Sequence, residues 1–216
     1  MLKNSRQNND TMPIDLGDAL RTRRKALKLT MQSVADSAGL SVGFISQVER
    51  GITSPSLASL ASLAKVLQTE MSSFLQIPAT SGQTTHKDSR PAYSVAGADL
   101  SYERLSATFP GSTVHSVIVH EPPGHRGEPI SHFGEEMFYI IEGEITVEIE
   151  GEIEIITRGD SIHFDSRQVH STWNHSAATA SFLWCGTMDV FGDALSPIHK
   201  NTATEPKANN STGASN

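Results

Sequence analysis

The sequence predicts two domains, an all-α unit followed by an all-β unit. Three observations carry this. From Ile14 to Leu75 apolar residues recur at three- and four-residue spacing, whereas from Val114 to Phe164 they alternate with polar ones. Residues 1–80 hold nine Lys and Arg against six Asp and Glu, a net of +3; residues 81–216 hold eight against eighteen, a net of −10, and all nine histidines. Between the two patterns, residues 77–91 (IPATSGQTTHKDSRP) are rich in Pro, Ser, Thr and Gly, the composition of a linker. The acidic total of −7 therefore conceals a mildly basic first unit and excludes no anionic partner for it.

In the first unit, residues 14–28 (IDLGDALRTRRKALK) read as an amphipathic helix with Ile14, Leu16, Leu20 and Leu27 facing a core. Val34, Ala35 and Ala38 then share one face of a second helix, and Gly39-Leu40 makes a short turn. Ser41 is a natural N-cap for a third helix that buries Phe44, Ile45 and Val48 and turns Val42, Gly43, Ser46 and Gln47 outward. Two short helices joined by a Gly-containing turn form a helix-turn-helix, whose second helix fits a DNA major groove; the plainer alternative is a helical hairpin in an all-α domain. After the turn Ser54-Pro55-Ser56, LASLASLAKVLQ places Leu57, Leu60, Leu63, Ala64 and Leu67 at helical spacing, and Met71–Leu75 is expected as a short fifth helix.

Residues 14–76 resemble the XRE-type, lambda-repressor-like helix-turn-helix of phage repressors, matching through LT…ADSAGLSVGFISQVERG…SPSLASLASLAKVL. The resemblance implies double-stranded DNA as partner and an ion pair between Arg24 and Glu49. It places Val42, Gly43 and Gln47 against bases, with Gln47 suited to adenine and Val42 to a thymine methyl. Ser41, Ser46, Thr53 and Arg50 fall to phosphates, as does Arg23 from the basic run Arg21, Arg23, Arg24, Lys25, Lys28. Met31 stands where the family usually has Gln, which removes one phosphate anchor.

In the second unit, strands are expected at 114–119, 136–141 and 145–149, with turns at Gly143, Gly151 and Gly159-Asp160. Short strands with Gly-bearing turns argue for one closed β domain over residues 92–192. HFGEEMFYIIEG (132–143) and GDSIHFDSRQVHSTWN (159–174) resemble the first and second motifs of the cupins, with Gly159, His170 and Asn174 in place. That implies a double-stranded β-helix, or jelly-roll barrel. GEPISHFGEEMFYIIEGEI and VHSTWNHSA are similar to the cupins of the putrescine-utilisation repressor group.

Carried over residue by residue, the cupin metal ligands are His132, Glu136 and His170, while the position of the first His is Ile130, which ligates nothing. Three donors remain, a set suited to divalent Zn, Fe, Ni or Mn. The same residues with Phe138 alternatively form a metal-free effector pocket. His125 is a candidate fourth donor that nothing in the sequence requires. His115, His163 and His175 are expected to be surface or hydrogen-bonding residues, Trp173 and Trp184 to pack the barrel, and Asp165 to sit in a turn.

A single cysteine, Cys185, excludes an intramolecular disulfide and fits a reducing compartment. No apolar run of eighteen residues and no signal peptide stand in the sequence, so a soluble, cytoplasmic protein without membrane partners is expected, with residues 197–216 as a disordered tail. A helix-turn-helix joined to a cupin is implied to be a non-enzymatic, homodimeric repressor on a pseudo-palindromic operator, answering to a small amine, amino acid or carboxylate. A metal-dependent cupin oxygenase or isomerase with a DNA-binding head is the alternative. An antitoxin-like autoregulator is disfavoured by the closed barrel.

Overall fold

A computed structural model describes residues 15–75, 82–90, 92–95 and 100–192. Ile14 and the 197–216 tail lie outside them. The helical unit contains α1 (Leu16–Ala26), α2 (Met31–Ala38), α3 (Val42–Glu49) and α4 (Leu57–Val66). Four helices stand where five were expected. Met71–Ser73 forms only a 3-10 turn, pinned by Met71 and Phe74, both buried. Each helix starts at a side-chain cap: Asp15, Thr30, Ser41 and Ser56 accept from the backbone N–H of Asp18, Ser33, Phe44 and Ser59. Gly39 ends α2 in the left-handed conformation at φ 70°, which turns the chain sharply into α3.

The core of this unit is Leu16, Leu20, Val34, Ala35, Ile45, Val48, Leu60, Leu63 and Leu67, all buried. Phe44, expected there, is only half-buried at its edge. Leu27 caps α1 and packs against the core from outside.

Among the described residues the β unit has nine strands: β1 (Ala92–Ser94), β2 (Ser101–Arg104), β3 (His115–Glu121), β4 (Glu135–Glu142), β5 (Glu144–Ile149), β6 (Glu152–Thr157), β7 (Ser161–Asp165), β8 (His170–Trp173) and β9 (Ala180–Gly186). They form a six-stranded sheet ordered β1-β2-β3-β9-β4-β7 and a three-stranded sheet ordered β6-β5-β8, with every pairing antiparallel. Strict alternation along β3 and β9 sends Val117, Val119, Phe182 and Trp184 inward. Asp165 ends β7 at the start of a turn, its carbonyl accepting from the Gln168 N–H, and Trp173 is half-buried at the end of β8 beneath the Arg126 guanidinium, 4.5 Å from it. Part of the linker is ordered: Lys87–Ser89 makes a 3-10 turn, and Arg90 pairs with Glu103 at 3.0 Å. No helix among the described residues is long and apolar enough to cross a membrane.

The two units touch. Ser56 at the cap of α4 donates to Glu128 of the β unit, Gly39 packs against the Ser131 carbonyl, and Met71 packs against Gly192.

Gly17 sets the approach of α1 to α3. A Cβ there would lie 2.8 Å from the Val48 carbonyl oxygen and 2.9 Å from that of Glu49, both backbone atoms. Gly17→Ala gains about 1 kcal/mol of helix propensity but overpacks a backbone contact at a cost of about 1–3 kcal/mol. The overpacking is expected to win, with a lowered Tm in calorimetry; an unchanged or raised Tm would show that α1 yields freely.

Candidate DNA-reading face and barrel pocket

On the helical unit, Gly43, Gln47 and Arg50 are exposed along α3, and Val42, Ser46 and Thr53 are half-buried beside them. Nothing lies within 3.9 Å of where a Gly43 Cβ would stand, so this part of the helix presents open space. Ser41 is exposed, with its hydroxyl oxygen engaged as the α3 cap. The Arg50 Nε donates to the Ser46 carbonyl at 3.1 Å, leaving the outer guanidinium nitrogens toward solvent. Ile52, unremarked in the sequence, is 63% exposed just beyond the helix.

Arg23 does not join this face. Its guanidinium donates to the carbonyls of Leu67 and Gln68 at 2.8 and 2.6 Å, closing the C-terminal end of α4, where a cation is favoured by the helix dipole. The basic run told of charge but not of this capture. Arg24 meets Glu49 as the family resemblance implied, through two hydrogen bonds of 2.5 and 2.8 Å, and also donates to the Leu29 carbonyl. Both partners are nearly buried, so the pair fixes α1 against the end of α3.

In the β unit, His132, Glu136 and His170 converge. Glu136 is brought in by the alternation of β4, His170 opens β8, and His132 stands in the loop before β4, its N–H bonded to the Ser166 carbonyl. One donor atom from each lies within 4.8 Å of the others. His132 Nδ1 donates to the Phe133 carbonyl at 3.2 Å and His170 Nδ1 to the Gln168 carbonyl at 2.8 Å. A carbonyl only accepts, so both rings are held in the tautomer that turns a bare Nε2 inward. These lone pairs face the Glu136 carboxylate at 2.9 and 3.6 Å. His132 Nε2 and Glu136 Oε1 are buried with no aligned hydrogen bond. Lone pair against lone pair is repulsive unless a proton or a cation sits between them. Burial works to lower the pKa of His132, but Glu136 outweighs it and raises that pKa, while burial lowers that of His170. The donor set fits a divalent metal, with His132, Glu136 and His170 as its holders.

Ile130 pairs with His170 through two backbone hydrogen bonds of 2.9 and 3.0 Å, and its side chain faces the cavity above this triad. The missing ligand is thus an apolar wall. His125 does not reach the triad's role: its Nδ1 bonds Glu121 at 2.7 Å. Glu121, inward on β3, is 1% exposed and keeps its second carboxylate oxygen without a hydrogen-bond partner. The sequence reading passed over Glu121, although the alternation of β3 already put it inside. Phe138 lines the same cavity, as expected, and so do Tyr102 and Glu128. Asn174 is structural: buried, it donates to the Glu121 and Ala178 carbonyls and accepts from Ser176. Of the other histidines, His163 is exposed beside Glu135, His175 bonds Thr146, and His115 is buried against Phe191 and Asp189.

Two domain families match this chain: a helix-turn-helix over residues 20–74 and a cupin domain over 117–186. The chain joins a helix-turn-helix domain to a cupin domain. It is similar to the HTH-type transcriptional regulator PuuR of Escherichia coli, 27% identical over 81% of this chain and 96% of that protein. It is also similar to the HTH-type regulator SutR of the same organism, at 22% identity over 77% of this chain and 91% of that one. A solved HTH_3-family transcriptional regulator from Vibrio cholerae superposes with a TM-score of 0.50 at 20% identity, covering 81% of this chain and 95% of that one. The helix-turn-helix match and the regulators the chain resembles make DNA a partner of this chain.

Arg24→Ala is expected to leave the Glu49 carboxylate nearly buried and unpaired, at a cost of about 3 kcal/mol. Denaturant unfolding measures this. Stability within a few tenths of wild type would show that the pair positions nothing.

Proposed function

We propose that this chain is a transcriptional repressor whose helix-turn-helix domain (residues 14–76) reads an operator and whose cupin domain (residues 92–192) binds a small effector, with residues 77–91 between them, acting in the cytoplasm. One observation carries this: the same chain holds an open α3 reading face and a buried cavity floored by charged side chains. The regulators it resembles along most of its length support the reading. Within α3, Gln47 reads a base pair and Val42 contacts a thymine methyl. Ser41, Ser46, Thr53 and the free end of Arg50 hold phosphates.

The effector site is the cavity above His132, Glu136 and His170. A metal held there supplies open coordination positions to a ligand. Glu121, away from the triad, keeps a buried carboxylate oxygen without a hydrogen-bond partner and favours an amine among the amine, amino-acid and carboxylate classes. Glu136 adds to that preference where no metal is held, and a metal at the triad favours a carboxylate there instead. Ile130 in the fourth ligand position weighs against a cupin oxygenase or isomerase.

The working unit is a homodimer, because one helix-turn-helix reads too few base pairs. Its supporting surface is the outer face of the six-stranded sheet, where Met137, Tyr139 and Ile141 of β4 are exposed beside half-buried Leu183 and Ile118.

Selection of bound sequences from random DNA is expected to return a pseudo-palindrome with half-site centres about 34–36 Å apart or a multiple. Gln47→Ala is expected to cost about 1–3 kcal/mol on that site and to relax one base pair per half-site; an equal loss on random DNA removes Gln47 as a reader. Tyr139→Glu is expected to shift the full chain from dimer to monomer in sedimentation, and a stable dimer of that variant rejects the sheet interface. Elemental analysis is expected to find one divalent metal per chain, lost in Glu136→Ala. A metal-free wild type that still binds effector assigns the triad to the ligand itself.

A further inference from the structure

The barrel does not enclose its pocket alone. Ser56, Leu57 and Ala58, at the start of α4, complete the wall. The cavity so formed measures about 90 Å³. Sites for small organic ligands run to about 300 Å³ and above. A metabolite of more than a few heavy atoms therefore needs one wall to yield.

The β walls resist. β3 is hydrogen-bonded between β2 and β9, and β4 between β9 and β7, so moving either breaks a ladder on two sides. The α4 wall has no such ladder: among the described residues its polar ties to the barrel are Glu128 Oε1 accepting from the Ser56 N–H at 3.3 Å and from its hydroxyl at 3.2 Å, Ser59 beside the same carboxylate, and the Tyr102 hydroxyl beside the Leu57 backbone. Apolar packing adds to these, since residues of both units share one hydrophobic cluster.

The charges around the cavity favour a particular occupant. Glu121, 1% exposed, has one carboxylate oxygen bonded to His125 and the other without a partner, and Glu128 lines the same space. Burial also holds the Glu128 carboxyl above its usual range, so the neutral amide and hydroxyl of Ser56 stabilise its charge incompletely.

We propose that the pocket is an interdomain site in which a small organic cation takes the Glu128 carboxylate from the N-terminus of α4, and so releases the helix-turn-helix domain from the barrel. This rests on the cavity being the effector site, as proposed above. The Ser56 donors are neutral and stand 3.3 and 3.2 Å from the carboxylate, whereas a cationic donor adds a charge–charge attraction at low polarity that they lack, so the exchange favours the ligand. It also supplies what an effector requires, a different affinity for the docked and released states.

Hydrogen exchange on the full-length protein tests the wall without any ligand. Glu128→Ala is expected to speed exchange of residues 56–60 on the order of tenfold, the worth of a charge-assisted hydrogen bond, with Glu128→Gln restoring part of the protection. Unchanged exchange in Glu128→Ala overturns the proposal. The ligand arm uses methylammonium and butylammonium, with butyrate as the matched anion, followed by calorimetry and exchange. Both ammonium ions are expected to bind and to raise exchange at 56–60, butylammonium the more because its chain also overfills the cavity. Butylammonium bound in the pocket with protection at 56–60 intact overturns the release. If neither amine binds but butyrate does, the cationic class fails, while the Glu128→Ala result still judges the wall.

Discussion

A carboxylate withdrawn from water must find donors, and Glu128 finds its donors in another domain. The first turn of an α-helix offers unpaired N–H groups and the positive end of the helix dipole. Ser56 adds a hydroxyl to this while also capping Ser59, so a single serine ends one helix and meets the barrel. The position of α4 over the pocket, and with it the seating of the whole helical unit, hangs on this small set of polar contacts. The apolar contacts beside it, at Gly39 and Met71, are van der Waals contacts with little directional content.

Within the barrel the same economy recurs. Alternation along three strands delivers carboxylates to an apolar interior: Glu121 from β3, Glu136 from β4, with His170 opening β8. Phe164 packs edge-on against both Phe138 and His170, and Phe182 lies tilted against Phe138, which sets aromatic rings around the polar floor. Low polarity raises the worth of every interaction made there and the penalty for every one left unmade. The orphaned oxygens of Glu121 and Glu136 thus sit where a ligand or ion gains most by meeting them.

Much of this was legible before any coordinates. Ser41 as a cap follows from the residues around it, whereas Arg24 with Glu49, and His132, Glu136 and His170 together, were implied by the family resemblances. What escaped was decided by long-range placement. Arg23 looks like its basic neighbours until α4 brings its last carbonyls within reach. Glu128 is one more loop acid until Ser56, seventy-two residues away, arrives beside it. Gly17 carries no local signal, because its reason for being small lies in the carbonyls of another helix. Met71–Leu75 has the apolar spacing of a helix but is too short to propagate one, and the burial of Met71 and Phe74 holds its single turn in place.

Gly17 has a consequence for how such a protein diversifies. α1 rests on the main chain of the last turn of α3, on carbonyl oxygens that every amino acid possesses. Together with the Arg24–Glu49 clamp at the same end, this fixes the tilt of the reading helix from its C-terminal end. Val42 is half-buried against the core and tied to it, whereas Gly43 and Gln47 are exposed and take no part in that seating. Their identities are free to drift, and sequence preference can be rewritten one residue at a time without re-aiming the helix that carries it.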